Sequence, residues 1–110
     1  TKDMSERKRK MEDDCDAFLI VPGGVGTLEE FFEVLTLKQL GRHNKAIVIF
    51  NIDNYFDEFE KFMQVAHDRK FLNFQYEKLF SYAPDCESVI NYLETYKPLN
   101  TPWQKLKAGD

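Results

Sequence analysis

The amino-acid sequence predicts an α/β protein: a parallel sheet with flanking helices. Three observations carry that expectation. Apolar runs at Ala17–Val21, Lys45–Phe50 and Leu79–Ala83 are short enough for buried strands. Longer stretches between and after them place apolar residues at helical spacing. The first run leads straight into a glycine-rich turn and then a helix, and strand–helix alternation of this kind builds parallel sheets with right-handed crossovers.

The elements follow in order. Residues 3–15 read as a helix whose Met4, Met11 and Cys15 share one face. Arg7 and Lys8 flank that face, while Arg9 and Lys10 point away from it. Arg7 as a plain surface residue would pair with Asp3 at i−4. After the first strand, residues 27–40 form a helix with Leu28, Phe31, Phe32 and Leu35 as its core stripe. A second patch, Val34, Leu37 and Leu40, lies opposite and includes Glu30 in its arc, so this helix is expected to touch two neighbours. Gly41 stops it as a C′ residue. Lys45–Phe50 is the second strand, and Asn51–Asn54 is its exit loop. Tyr55–Lys70 is helical, with Phe56, Phe59, Phe62, Met63 and Ala66 on one stripe that reads as core. A loop over 71–77 leads to the third strand, which Pro84 ends. Asp85 caps a last helix carrying Val89, Tyr92, Leu93 and Tyr96 at core spacing. Residues 1–97 read as one unit and 98–110 as a loose polar tail whose Trp103 can dock. Three strands are few for such a sheet. The chain opens at Thr1 inside a helical pattern and reads as a piece of something longer, whose absent strands would flank the first one.

Bulk properties narrow the function classes. The chain has 110 residues, 43% hydrophobic and 15% aromatic, enough for one small folded domain. A net charge of −4 argues against a general nucleic-acid binder. No apolar run approaches membrane-spanning length and no signal peptide is visible, so no membrane partner is expected. Cys15 and Cys86 lack metal-ligand spacing and read as buried free thiols of a reducing cytoplasm. His43, just past a helix end, and His67, on an exposed helix face, read as structural or surface residues. No metal is expected, and no lysine stands in a recognisable pyridoxal phosphate setting.

Chemistry concentrates in Pro22-Gly-Gly-Val-Gly-Thr-Leu-Glu-Glu30. Glycines between a strand and a helix let the backbone turn tightly and let an anion approach bare amides. The helix dipole adds to the attraction. Glu30 sits about one turn in, so the segment reads as a phosphate cradle with an acid or base beside it. The turn lacks the Gly-Lys-Ser/Thr ending of a P-loop, and Glu29 stands where a dinucleotide fingerprint needs its third glycine. A plain strand-to-helix turn without ligand is the bland alternative.

Met4-Ser-Glu-Arg-Lys8 followed by the glycine segment resembles the LONELY GUY (LOG) family of cytokinin riboside 5′-monophosphate phosphoribohydrolases, often mislabelled lysine decarboxylases. Gln39-Leu-Gly-Arg-His-Asn-Lys45 and Asn51-Ile-Asp-Asn-Tyr-Phe56 agree, so the likeness runs from about Met4 to Tyr96. The resemblance implies a Rossmann-like fold, a homodimer with active sites near the subunit interface, and no cofactor. It implies hydrolysis of the N-glycosidic bond of a nucleoside 5′-monophosphate to free base and ribose 5-phosphate. Carried over, Arg7 and Glu30 match the catalytic pair, and Gly23, Gly24, Gly26 and Thr27 match the phosphate-binding turn. Lys8 matches a further part of the motif and is assigned to nucleotide binding. The family's amino-terminal half, with another glycine-rich segment of the nucleotide site, does not appear in this sequence. Leu37-Lys38 stand where the family often has Trp-Ala, and Asn54 where it often has Gly; both bear on base preference.

Glycosidic cleavage builds positive charge on the ribose, which a fixed carboxylate stabilises. That work falls to Glu30, with Arg7 on phosphate or ribose oxygens or on the departing base. Glu29, about 100° away around the helix, reads as a solvated first-turn residue. The rival reading is a non-catalytic protein that holds a nucleotide or a phosphorylated cofactor, like the molybdenum-cofactor carriers of the same architecture. A further rival is an inert folded remnant.

Overall fold

The computed structural model describes residues 16–72 and 76–98. The helix expected over 3–15, the docking of Trp103 and most of the tail lie outside them. The described residues form a three-stranded parallel sheet in the order β1 (Ala17–Ile20), β2 (Ala46–Phe50), β3 (Ser81–Ala83). Helices α1 (Val25–Gln39), α2 (Asp57–Asp68) and α3 (Cys86–Thr95) follow the strands in turn. The α/β expectation holds.

Alternation along the strands builds two layers. Phe18, Ile20, Ile47 and Ile49 face a core shared with Phe31, Val34 and Leu35 of α1 and with Phe56 and Met63. Val48 and Ala83 face the other way, against Val89 of α3, with Phe50 and Tyr92 alongside. So α1 and α2 cover one face and α3 the other. The central strand is buried on both, which is why its sequence is an unbroken apolar run. β1 pairs only with β2 among the described residues, and Leu19 on its α3-side face is 50% exposed. An aromatic lattice ties the helices to the sheet: Phe31 meets Phe59 and Phe80 edge-on, with centroids 5.7 and 5.0 Å apart.

Both helix-end signals read from the sequence are present. Gly41 takes φ 79° at C′, its N–H donates to the Lys38 carbonyl, and Arg42 N–H donates to the Leu37 carbonyl. This pattern is a Schellman motif. Asp85 caps α3 through Ser88 N–H at 2.7 Å.

Several expectations need correction. Phe62, placed on the core stripe of the helix over 55–70, is 65% exposed, and Leu93 of α3 is 36% exposed, because each falls outside the side of its helix that meets the sheet. Phe32 is 40% exposed rather than core, and Val34, placed in the second patch, is fully buried. The stripe is set by where the sheet lies, and Phe32 falls on its edge, against Phe59 at 5.9 Å. The third strand begins at Ser81, the partner of Val48. Leu79 and Phe80 are buried ahead of the ladder, and residues 76–78 form a 3-10 turn within the expected loop. Cys86 is exposed at the first position of α3, because the Asp85 cap sets the helix phase and gives Val89 to the sheet. Finally, α1 starts two residues earlier than expected.

Candidate functional site

That early start matters for the glycine turn. Gly24 is the N-cap of α1 and makes no side-chain cap bond. Leu28 N–H closes the first helical bond, to the Gly24 carbonyl at 3.2 Å. Val25, Gly26 and Thr27 therefore carry the orphan amides of the helix start. The first turn contains no acidic residue, and Glu29 lies beyond it. The positive end of this helix is thus not offset by a carboxylate of its own first turn.

Each glycine contributes differently. A Cβ on Gly23 would collide with the Thr27 hydroxyl, so Thr27 folds back over the Gly23 backbone and only glycine fits there. Among the described residues, Cβ atoms on Gly24 and Gly26 would meet nothing within 4 Å. No described residue crowds these two positions, so none of them blocks an anion from approaching the main chain at the helix end. Glu30 is half-buried and Glu29 exposed. The structure packs Thr27 against Gly23, sets Gly24 and Gly26 at the start of α1, and carries Glu30 further along the same helix. Arg7 and Lys8 lie outside the described residues.

The exit loop of β2 is the neighbour of this turn, because Ile20 and Ile49 are register partners at the carboxyl ends of adjacent strands. Asn51 organises the loop. Its N–H donates to the Ala83 carbonyl at 2.7 Å. Its side chain accepts from Phe56 N–H at 2.6 Å and donates to Asp57 Oδ1 at 2.8 Å. Asp53 and Asn54 take left-handed φ of 54° and 61°, a conformation Asp and Asn tolerate better than most residues. The loop delivers the Tyr55 hydroxyl to the Gly23 carbonyl at 2.6 Å. Sequence reading quoted this segment without assigning Asn51 or Tyr55 a task. Its polar composition signals a turn, but nothing in it says that the turn faces another one.

Lys38, named in the sequence only for base preference, has a different role in the structure. It is 2% exposed, and its ammonium donates to the Lys45 carbonyl, the Leu79 carbonyl and the Tyr96 hydroxyl at 2.7, 2.8 and 2.8 Å. Burial lowers its pKa to about 8. It lies in the last turn of α1, away from the glycine turn. His43 is structural as expected: its ring bridges the Val34 carbonyl and Lys45 N–H. A cavity of about 230 Å³ between α2 and the start of β3, lined by Glu60, Gln64, Tyr76 and Tyr82, shares no residue with the glycine turn. Among the described residues no group of three His, Cys, Asp or Glu side chains forms a metal site, and no helix is long and apolar enough to cross a membrane.

A family model described as "Possible lysine decarboxylase" matches residues 1–93. The chain is 40% identical over 98 residues to the cytokinin riboside 5′-monophosphate phosphoribohydrolase LOG5 of Arabidopsis thaliana, covering 89% of this chain and 43% of that protein. It is 38% identical over 96 residues to LOG7 of the same plant, covering 87% and 44%. The likeness to the probable phosphoribohydrolase LOGL9 of Oryza sativa subsp. japonica is 42% over 96 residues, covering 87% and 42%. The chain therefore spans less than half the length of these curated relatives. With the family model matched along most of its length, the chain belongs to the LONELY GUY (LOG) family, the one whose model carries the lysine decarboxylase description.

Proposed function

We propose that this chain is the carboxyl-terminal part, over residues 1–97, of a Rossmann-like phosphoribohydrolase that hydrolyses the N-glycosidic bond of nucleoside 5′-monophosphates. The products are free base and ribose 5-phosphate. One observation supports this most directly: an uncapped, glycine-opened helix start at a strand's carboxyl end, with the half-buried Glu30 further along the same helix. Gly23, Gly24, Gly26 and Thr27 hold the phosphate. That remote grip positions the sugar, so binding energy supports the step at the anomeric carbon. Glu30 stabilises the cationic ribose and orients the attacking water. Arg7 contacts phosphate or ribose oxygens or assists the departing base, and Lys8 completes the nucleotide site.

The names of the relatives support a cytokinin riboside 5′-monophosphate as substrate. AMP-like nucleotides are the wider class this proposal includes. Of the departures from the family pattern, Asn54, in the exit loop of β2, bears on which base is accepted; Lys38 is buried in hydrogen bonds at the far end of α1 and does not. The enzyme works as a cytoplasmic homodimer without cofactor.

The test is an assay of the full-length protein against a panel that includes cytokinin riboside monophosphates and AMP, reading released base by chromatography. Turnover that depends on the 5′-phosphate supports the proposal. Tight nucleotide binding without base release would replace it with the non-catalytic reading.

A further inference from the structure

The hydrogen bond from Tyr55 to Gly23 joins two loops that are distant in sequence and adjacent at the sheet's carboxyl edge. Its acceptor belongs to the Gly23–Gly24 peptide. In a trans peptide the carbonyl and the following N–H point in opposite directions, so fixing one fixes the other. Rotating that plane changes ψ of Gly23 and φ of Gly24, and no Cβ on either side resists the rotation. Left alone, this peptide is the part of the turn most free to flip. A flipped plane would present a carbonyl oxygen where the Gly24 amide had been, and a carbonyl repels an anion.

The tyrosine is well placed to prevent this. It is 55% exposed, yet its position is determined at both ends. Its N–H donates to the Ile52 carbonyl at 3.1 Å. Its ring stands edge-on to Phe56, centroids 5.0 Å apart, and Phe56 is core. Asn51 locks the Phe56 amide. Asp53 and Asn54 hold left-handed backbone immediately before it. A side chain held this way serves as a fixed donor.

We propose that Tyr55 is a positioning residue that keeps the Gly23–Gly24 peptide in one orientation, with the Gly24 amide presented to a phosphate. It touches no reacting atom; it acts through the turn. This rests on the phosphate-cradle reading above, and two separate measurements keep the two ideas apart.

The first needs no activity. In the full-length protein, the Gly24 amide should give one sharp ¹⁵N–¹H resonance. In Tyr55→Phe, which removes one oxygen, that resonance should broaden or split while resonances of β2 and α3 stay in place. The second uses ribose 5-phosphate as probe, by calorimetry. Tyr55→Phe should weaken binding about tenfold, the loss of one well-made hydrogen bond. It should raise KM for a nucleoside monophosphate more than it lowers kcat. Replacement by 4-aminophenylalanine, which keeps a para donor, should restore both the sharp amide and the affinity. Should Tyr55→Phe misfold, 4-methoxyphenylalanine at this position, which keeps the ring and the oxygen but has no O–H to donate, carries the same test. An unchanged Gly24 resonance in Tyr55→Phe overturns the proposal, as does unchanged ribose 5-phosphate affinity in a wild type that binds it. If the wild type binds no ribose 5-phosphate at all, the cradle reading fails, and the amide measurement still decides the Tyr55 restraint.

Discussion

Lys38 donates to the Tyr96 hydroxyl at 2.8 Å, and Tyr96 in turn donates to the Asn44 carbonyl at 3.1 Å. This relay ties the last turn of α1 to the chain just after α3, and the lysine's other bonds tie both to the entrances of β2 and β3. Burial together with the Tyr92 charge holds the Tyr96 phenol up at about 12, so it remains a donor throughout the physiological range. A lone buried ammonium would be costly, but three oxygen acceptors around it offset the desolvation.

Lys38→Met leaves the Lys45 and Leu79 carbonyls without this donor. It should lower stability at pH 7 by about 2 kcal/mol, measured by urea unfolding. The pH dependence has a definite sign. The folded-state pKa is depressed from 10.5 to about 8, so across that window the unfolded chain binds the extra proton. Wild-type stability, relative to Lys38→Met, should therefore rise between about pH 8 and 10.5, by roughly 3 kcal/mol in all. A difference that is flat or falls with pH rejects this account.

His43 is set as one neutral tautomer by its partners. The Val34 carbonyl can only accept and the Lys45 N–H can only donate, so the proton sits on Nε2 and Nδ1 is the acceptor. Burial lowers its pKa below 6.5, the Lys38 and Lys45 charges act the same way, and the Val34 bond opposes them. On acidification the unfolded state takes up the proton first. Stability should fall as pH drops from about 6.5 toward the folded pKa, and His43→Gln should flatten that part of the profile. ¹⁵N NMR of the ring should report the Nε2–H form at pH 7.

Gly23 and Gly26 should separate folding from binding. Gly23→Ala forces Thr27 out of its place over the turn and should destabilise by about 1–3 kcal/mol. Gly26→Ala puts a methyl into open space inside a helix and should stabilise by up to about 1 kcal/mol. The same methyl stands at the helix end where the phosphate is proposed to lie, so ribose 5-phosphate affinity should fall. Thermal melts and calorimetry on both variants check the pair.

Glu30→Gln and Arg7→Ala, in the full-length protein, should each cut base release by about 10²-fold or more while the protein still folds. Glu29→Gln serves as the control, because Glu29 is exposed; its effect should stay within about twofold. Equal losses in Glu29→Gln and Glu30→Gln would remove the special role assigned to Glu30.

The elements were largely legible because each followed from a local cause. The buried central strand announced itself as an apolar run, Gly41 marked the end of α1, and Asp85 marked the start of α3. Leu79 and Phe80 were legible as buried but not as lying outside the ladder, because composition reports dryness and not strand partners. Phe32 was misplaced because periodicity gives the direction of a stripe, while its width depends on what packs there. Gly23, Gly24, Gly26, Thr27 and Glu30 were readable as one cluster because they are consecutive turns of one segment.

What the sequence by itself determined is what lies within a few residues of its cause: the strand–turn–helix order, the caps, and the glycine turn with Glu30 beyond it. Only the tertiary structure decided the rest. Lys38 reads as one more polar residue until α1, the entrances of β2 and β3, and Tyr96 close around it. Tyr55 and Gly23 are brought together only because parallel pairing sets the exits of β1 and β2 side by side. The physical reason is the same in both cases: a hydrogen bond between distant residues depends on the placement of whole elements, and no local pattern encodes it.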